Sequence, residues 1–159
     1  MIKDPYKQRV KDVMSKDVVA IDAIDTVHEA LVRMVENRVS ALPVIDSRSV
    51  CVGVISATDL IELTRELDEE FGGLERIGQV SHQWFLDTLV ERDMDRRKVE
   101  ELMTSNVATT APDAPLVDAA REMLRQHVHR LPVVDANGRL VGIISTMDVL
   151  KAFANGAPQ

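Results

Sequence analysis

Two short segments combine hydroxyl and carboxylate side chains at the end of an apolar run, and they could bind a nucleoside or a phosphate. They consist of Ser56, Ala57, Thr58 and Asp59, and of Ser145, Thr146, Met147 and Asp148. An aspartate can accept hydrogen bonds from both ribose hydroxyls, and hydroxyl side chains with free N–H groups at a helix start can bind phosphate. Serine and aspartate are also the usual caps of helices. The spacing alone leaves both roles open.

The pair His129-Arg130 is a second candidate, because it places positive charge in a chain whose net charge is −7. The planar guanidinium of arginine offers several donors that suit phosphate. The alternative is a solvated pair on a strand that faces acidic neighbours. Ser40-Ala41 stands at the corresponding place earlier in the chain, so we expect two binding sites that differ in charge.

The sequence offers little for catalysis. It contains no evident nucleophile with its base, no glycine-rich phosphate loop and no set of metal ligands. His127 and His129 are two residues apart and would make only half a metal site. We therefore predict no enzyme activity, no catalytic residue, no bound metal and no required cofactor.

Composition indicates an intracellular α/β protein. Hydrophobic residues make up 45% of the 159 residues and aromatic residues 3%, so aliphatic side chains must form the core. The acidic balance opposes attraction to nucleic acid or to an anionic membrane. The N-terminus does not resemble a signal peptide, no apolar run is long enough for a membrane span, and the single Cys51 fits a reducing compartment. We expect a cytoplasmic location.

The elements that must position these residues occur twice. Residues 10–60 align without a gap on residues 99–149, at an offset of 89, with 15 identities in 51 positions. Each copy predicts the order β-α-β-β-α, which gives an α/β (α+β) fold. The helices are expected to start at a capping box formed by Thr26 and Glu29 and at Pro115, and Asn137-Gly138 predicts a tight hairpin. The first strands are expected at Val18 to Ile21 and Val107 to Thr110.

This repeat divides the chain into three parts. They are a first repeat at residues 1–67, a helical insert or linker at 68–98 and a second repeat at 99–159. The charged stretch that joins the copies begins near residue 61. We expect the last helix of the first copy to run past Leu67, a break at Gly72-Gly73 and another helix at about residues 81–91.

Three signatures in each copy resemble the cystathionine-β-synthase (CBS) domain family. They are Val10-Lys-Asp-Val-Met14-Ser15 with Val99-Glu-Glu-Leu-Met103-Thr104, Ser40-Ala-Leu-Pro-Val-Ile-Asp46 with His129-Arg-Leu-Pro-Val-Val-Asp135, and Gly53-Val-Ile-Ser-Ala-Thr-Asp59 with Gly142-Ile-Ile-Ser-Thr-Met-Asp148. The resemblance implies a pseudo-twofold CBS-domain pair, with small sheets flanked by helices. It also implies clefts between the repeats that bind AMP, ADP, ATP or S-adenosylmethionine.

The same resemblance assigns roles to single residues. It implies that Val19 and Ala108 line the adenine with Thr109 nearby, although ordinary core strands are the alternative. It implies phosphate contact for His129-Arg130, as in the nucleotide-sensing γ subunit of AMP-activated protein kinase, and a cleft in which His129 faces Asp59. One repeat of that subunit also carries the pair found at Ser40-Ala41.

These observations predict a regulatory module that binds an adenosine-containing nucleotide and signals to a partner by conformational change. The partner would be an unidentified regulated protein, because the chain contains no evident output domain. A homodimer is expected, and neither nucleic acid nor a membrane is expected as a partner. The alternative is a structural or dimerisation protein whose clefts stay empty.

Overall fold

The chain folds into two compact units in a computed structural model that describes residues 3–62 and 96–156. The first unit contains residues 3–18, 47–51 and 106–156, and the second contains residues 19–46, 52–62 and 96–105. The helices expected past Leu67 and at residues 81–91, and the break at Gly72-Gly73, lie outside the described residues.

Regular elements follow the predicted order, except that the strand expected at Val107 to Thr110 is reduced to a single bridge at Thr110. After a single 3-10 turn at Pro5–Lys7, the helices are α1 (Val10–Val13), α2 (Val27–Asn37), α3 (57–62), α4 (Val99–Leu102), α5 (Leu116–Gln126) and α6 (Thr146–Gly156). The strands are β1 (Ile21–Asp22), β2 (Ala41–Ile45), β3 (Cys51–Ser56), β4 (Thr104–Ser105), β5 (Arg130–Val134) and β6 (Leu140–Ser145). The α+β class predicted from the periodicity is confirmed.

The second unit is built around the sheet β1-β2-β3-β4. Ile21 of β1 lies opposite Val44 in a parallel pair, and Val54 of β3 lies opposite Thr104 in an antiparallel pair. β2 has buried residues at three consecutive positions, which is the pattern of a strand covered on both faces. Its side chains pack with those of α2 and α4 in one hydrophobic core.

The first unit repeats this pairing with shorter outer strands. β5 and β6 form a two-stranded antiparallel sheet. Single bridges flank it, a parallel one between Thr110 and Val133 and an antiparallel one between Ser15 and Ile143. The offset of 89 residues relates these bridges to the sheet of the second unit. Thr110 with Val133 corresponds to Ile21 with Val44, and Ser15 with Ile143 corresponds to Thr104 with Val54.

Each unit is completed by the opening signature of the other repeat. Val10 is fully buried in the core that contains Leu116 and Leu131, whereas Val99 is fully buried in the core that contains Ile21 and Leu42. The two short helices are held alike: Val10 N donates to Ala114 O at 3.0 Å, and Val99 N donates to Asp25 O at 2.8 Å. The predicted boundaries at residues 67 and 99 follow the duplicated sequence, whereas each compact unit combines parts of both repeats. The boundaries therefore stay a prediction.

The predicted capping box at the start of α2 is confirmed. Glu29 N donates to Thr26 Oγ1 at 3.1 Å, and Thr26 N donates to Glu29 Oε2 at 2.8 Å. Helix α5 begins differently, with Pro115 as its N-cap and no capping side chain. Both helices end in a left-handed residue, Arg38 or His127, each with φ of 54°.

The hairpin between β5 and β6 differs from the tight turn expected at Asn137-Gly138. Gly138 has φ of 77°, whereas Asn137 does not adopt a positive φ. The carboxylate of Asp135 shapes the connection instead, because its Oδ1 accepts from the N–H groups of Asn137 and Arg139 at 2.9 and 3.0 Å. The aspartate that directly follows β5 therefore fixes a longer turn.

Candidate functional site

The two Ser-x-x-Asp segments adopt the same geometry at the ends of β3 and β6. Ser56 donates to Asp59 Oδ2 through its backbone N–H at 2.8 Å and through Oγ at 3.0 Å. Ser145 donates to Asp148 Oδ2 in the same way, at 2.8 and 2.9 Å. In return the N–H groups of Asp59 and Asp148 donate to the serine hydroxyls at 3.3 and 3.2 Å. Each pair thus forms a closed cap on the following helix.

This cap uses only one oxygen of each carboxylate. All hydrogen bonds that the side chains of Asp59 and Asp148 accept within the described residues go to Oδ2. Both side chains are partly exposed. Oδ2 therefore forms the helix cap, and Oδ1 is left to accept from a ligand hydroxyl. Helix capping and ligand binding, the two roles that the spacing left open, are thus compatible.

Arg130 lies next to one of these caps. It pairs with Ser145 across β5 and β6, and its guanidinium makes no ion pair within residues 3–62 and 96–156. The carbonyl of His129 accepts from Thr146 N at 2.9 Å and from Thr146 Oγ1 at 3.2 Å. The first unit therefore brings His129 and Arg130 beside the start of α6 and leaves both side chains exposed.

The second unit holds the matching uncharged set. Ser40 is exposed, and its carbonyl accepts from Ala57 N at 2.8 Å, as the carbonyl of His129 does from Thr146. Ala57 is only 3% exposed and belongs to the hydrophobic core, so we expect any contact it makes with a ligand to use its backbone. Thr58 and, in the other unit, Met147 are exposed.

The strands predicted to line an adenine are shorter than expected. β1 contains only Ile21–Asp22, and in the other unit Thr110 makes an isolated bridge, so Val19, Ala108 and Thr109 precede the paired residues. Val19 and Ala108 are half-buried and pack against the cores of their units, whereas Thr109 is exposed. Their packing agrees with the core role, and contact with adenine stays a prediction.

A cavity beside Asp148 contains residues that the sequence did not indicate. It has a volume of about 400 Å³ and is lined by Lys3, Gln8, Val13, Asp148, Lys151, Ala152 and Asn155. α6 supplies four of these residues at helical spacing, and the N-terminal segment supplies the rest. Lys3 is too far from Asp148 in sequence for a motif to connect them, but Lys151 follows Asp148 by one helical turn and could have been noticed.

The two units differ in charge. Within the described residues the first unit has eleven Lys and Arg against eight Asp and Glu, whereas the second has five against nine. An exposed ion pair in the first unit joins Lys11 Nζ to Asp113 Oδ1 at 2.6 Å. The hydrogen bond and the charge of Lys11 lower the pKa of Asp113 below its ordinary value.

Two further properties concern the described residues alone. No three His, Cys, Asp or Glu side chains among residues 3–62 and 96–156 are grouped as metal ligands. None of the helices within these ranges is long and apolar enough to cross a membrane.

The duplicated pairing pattern and the two capped Ser-x-x-Asp ends define a tandem pair of small α+β repeats. The family model described as CBS domain matches residues 10–66 and again residues 99–155. The chain therefore belongs to the CBS domain family, which confirms the resemblance seen in the signatures.

Similar proteins support this assignment. CBSX1, a chloroplastic CBS domain-containing protein of Arabidopsis thaliana, is 33% identical over 148 residues, which are 90% of this chain and 63% of CBSX1. The crystal structure of CBSX2 in complex with AMP is 31% identical and has a TM-score of 0.69, covering 92% of this chain and 96% of that one. The CBS domain pair of MJ0100, solved with 5′-methylthioadenosine and S-adenosylmethionine, is 23% identical with a TM-score of 0.66, covering 94% and 98%, and shows the shared fold.

Proposed function

We propose that this chain is a regulatory module that binds an adenosine-containing nucleotide and passes the bound state to a partner protein. The observation that carries the proposal is the repeated cap in which Ser56 or Ser145 holds one carboxylate oxygen of Asp59 or Asp148. That arrangement fixes the carboxylate and leaves Oδ1 as an acceptor for ribose hydroxyls. The complex of the similar protein CBSX2 with AMP supports an adenosyl ligand.

Regulation rather than catalysis is part of the proposal. The Ser-x-x-Asp ends offer acceptors and N–H donors for binding, and no cofactor is required for that role. A ligand that binds one arrangement of the chain better than another shifts the population toward it, and a regulated protein can respond to the shift. The chain spans 63% of CBSX1, so the activity of a longer protein would be a separate question.

The ligand can be tested by isothermal titration calorimetry with AMP, ADP, ATP, S-adenosylmethionine and NAD, together with thermal unfolding. A compound that binds only the folded chain must raise the melting temperature. We expect at least one adenosyl compound to bind and to raise it. If none binds to the wild-type chain, the proposal is wrong and the alternative of an empty structural scaffold is favoured.

A test of ribose binding by Asp59 and Asp148 requires a substitution that keeps the helix cap. Asp59→Asn and Asp148→Asn preserve an oxygen that can accept from the serine, but they place an amide where a ribose acceptor is needed. We expect each to weaken binding at its own site by about tenfold or more, since hydrogen bonds to charged groups contribute about 1.5–3 kcal/mol. Asp17→Asn is the matched control, because Asp17 is exposed and belongs to neither segment.

Arg130 allows a test of phosphate contact. Arg130→Gln should weaken binding of AMP relative to adenosine while leaving the fold intact, because the side chain is exposed and unpaired within the described residues. Equal losses for AMP and adenosine would assign Arg130 a role unrelated to phosphate.

We also propose that two copies associate. Four large apolar side chains of the first unit are exposed on or beside α5 and α6, namely Leu124 at 75%, Val128 at 38%, Met147 at 59% and Leu150 at 56%. α5 and α6 contact each other, and large apolar side chains exposed on neighbouring elements often mark protein interfaces. Sedimentation should give a dimer for the wild-type chain and a monomer for Leu124→Glu with Leu150→Glu. A wild-type monomer at high concentration would contradict the dimer.

The location and the regulated partner remain predictions. The negative charge is the ground for expecting neither nucleic acid nor a membrane surface as that partner. A cytoplasmic location is expected from the single cysteine, although the names of CBSX1 and CBSX2 include the word chloroplastic. Localisation of a tagged chain would test it.

A further inference from the structure

The cavity beside α6 combines an unused carboxylate oxygen with two lysines. Asp148 contributes one wall, and Lys3 and Lys151 contribute others. Because Ser145 holds Oδ2 of Asp148, the carboxylate has a fixed position from which Oδ1 can accept. The volume of about 400 Å³ lies within the range of about 300–1,000 Å³ common for small-molecule sites.

Neither lysine is committed to another group in the described part of the chain. Lys3 and Lys151 are both exposed, and their ammonium groups form no hydrogen bond or ion pair within residues 3–62 and 96–156. Three other cations of the same unit are in ion pairs: Lys11 with Asp113, Arg121 with Asp118, and Arg125 with Glu122. The cavity therefore holds positive charge that no described carboxylate neutralises by direct contact.

The remaining lining suits a nucleotide in other ways. Val13 and Ala152 add apolar surface, and the side-chain amides of Gln8 and Asn155 can donate or accept. The amide of Gln8 donates to Lys3 O at 3.3 Å, which ties the N-terminal segment together at the cavity wall. The N-terminal segment also packs closely against the end of α6, because a Cβ on Gly156 would lie 2.7 Å from Lys3 O.

The charge of the whole unit acts in the same direction. Basic residues exceed acidic ones by three in the first unit, eleven against eight, while the chain as a whole carries −7. A phosphorylated ligand is therefore attracted to the first unit more than to the second.

We propose that Lys3 and Lys151 bind the phosphate of a nucleotide whose ribose is held by Asp148. This inference rests on the proposed function and adds a phosphate-binding role for the N-terminal segment. It also predicts that the site at Asp148 prefers phosphorylated adenosyl compounds to adenosine.

The test compares AMP with adenosine, by calorimetry, in the full chain and in the double variant Lys3→Gln with Lys151→Gln. Lys16→Gln with Lys7→Gln is the matched control, because it removes the same charge from exposed residues of the same unit that do not line the cavity. Amide chemical shifts of residues 148–155 report whether binding occurs at the cavity.

The expected result is a loss of about tenfold or more in affinity for AMP in the Lys3 and Lys151 variant, with little change for adenosine. The control should lose much less. Equal affinity for AMP in the wild-type chain and the Lys3 and Lys151 variant would overturn the inference while leaving the proposed function intact. Failure of the wild-type chain to bind any adenosyl compound would instead overturn the proposed function, and this inference with it.

Discussion

Gly53 lies so close to Thr104 that a side chain has no room: a Cβ built on Gly53 would be 2.6 Å from the carbonyl oxygen of Thr104. The sulfur of Met103 would be 2.8 Å away. The other unit repeats the contact, with Gly142 against the carbonyl of Ser15 and the sulfur of Met14 at 2.9 and 2.7 Å. The glycine of each closing signature is thus a packing partner of the methionine in the opening signature of the other repeat.

Gly53→Ala should therefore lower the free energy of unfolding by about 1–3 kcal/mol, the usual cost of overpacking. Urea denaturation measures it. Adding Met103→Ala should not restore stability, because the backbone oxygen of Thr104 stays in place. An unchanged urea midpoint in Gly53→Ala would show that β4 moves away without cost.

The cap of α2 gives a second prediction. Thr26→Ala removes the acceptor for Glu29 N and should cost about 1 kcal/mol, measured as a shift in the urea midpoint. Thr26→Ser is the control, since its hydroxyl can accept the same hydrogen bond. Similar losses in both variants would mean that the methyl group of Thr26, rather than the cap, matters.

Asp113 gives a prediction on pH. Lys11 lowers the pKa of Asp113 below its ordinary value of 3.8, so the pair should stabilise the fold above that value. The contribution should be lost as the pH falls through the lower pKa of the folded chain. Carboxyl chemical shifts during an acid titration should show this, and Lys11→Met should move the pKa back toward 3.8. No change in Lys11→Met would contradict the ion pair in solution.

Arg33 gives a prediction on the segment that leads into β1. Its Nη1 donates to Ala20 O at 2.5 Å, and its Nη2 lies 3.8 Å from Asp25 Oδ2. Arg33→Met keeps the aliphatic length but removes the donors. It should cost about 1 kcal/mol at this exposed site and speed hydrogen exchange at residues 19–22. Unchanged exchange would indicate that the segment is held by other contacts.

Local signals predicted most of the elements. Helical spacing after Thr26 and Pro115 and the paired apolar runs placed α2, α5 and the strands β2, β3, β5 and β6, because these elements depend on residues close in sequence. The outer strands were placed less well. Val18 to Ile21 has the residue types of a strand, yet only Ile21 and Asp22 pair, although β2 extends back to Ala41. In this register Ala20 would lie opposite Pro43, which has no N–H to donate.

Long-range relationships could not be predicted in the same way. The segments at Val10 and Val99 were noticed as matching signatures, but neither the short helices that they form nor the cores that bury them were predicted. The lysines of the cavity illustrate the same limit, because Lys3 and Lys151 are brought together only by the fold. In contrast, the capping role of Asp59 and Asp148 follows from neighbours three residues away and was one of the two predicted alternatives.

The short helix at the start of each repeat packs in a core formed mainly by the other repeat, and this has a consequence for synthesis on the ribosome. Residues 3–18 are made before the second repeat, and the core that buries Val10 is made of residues translated more than a hundred positions later. The unit around Ile21 closes only once Val99 has been made. The nascent chain must therefore keep residues 3–18 unpacked until the second repeat has been made, and a stop codon before Val99 would leave both cores open.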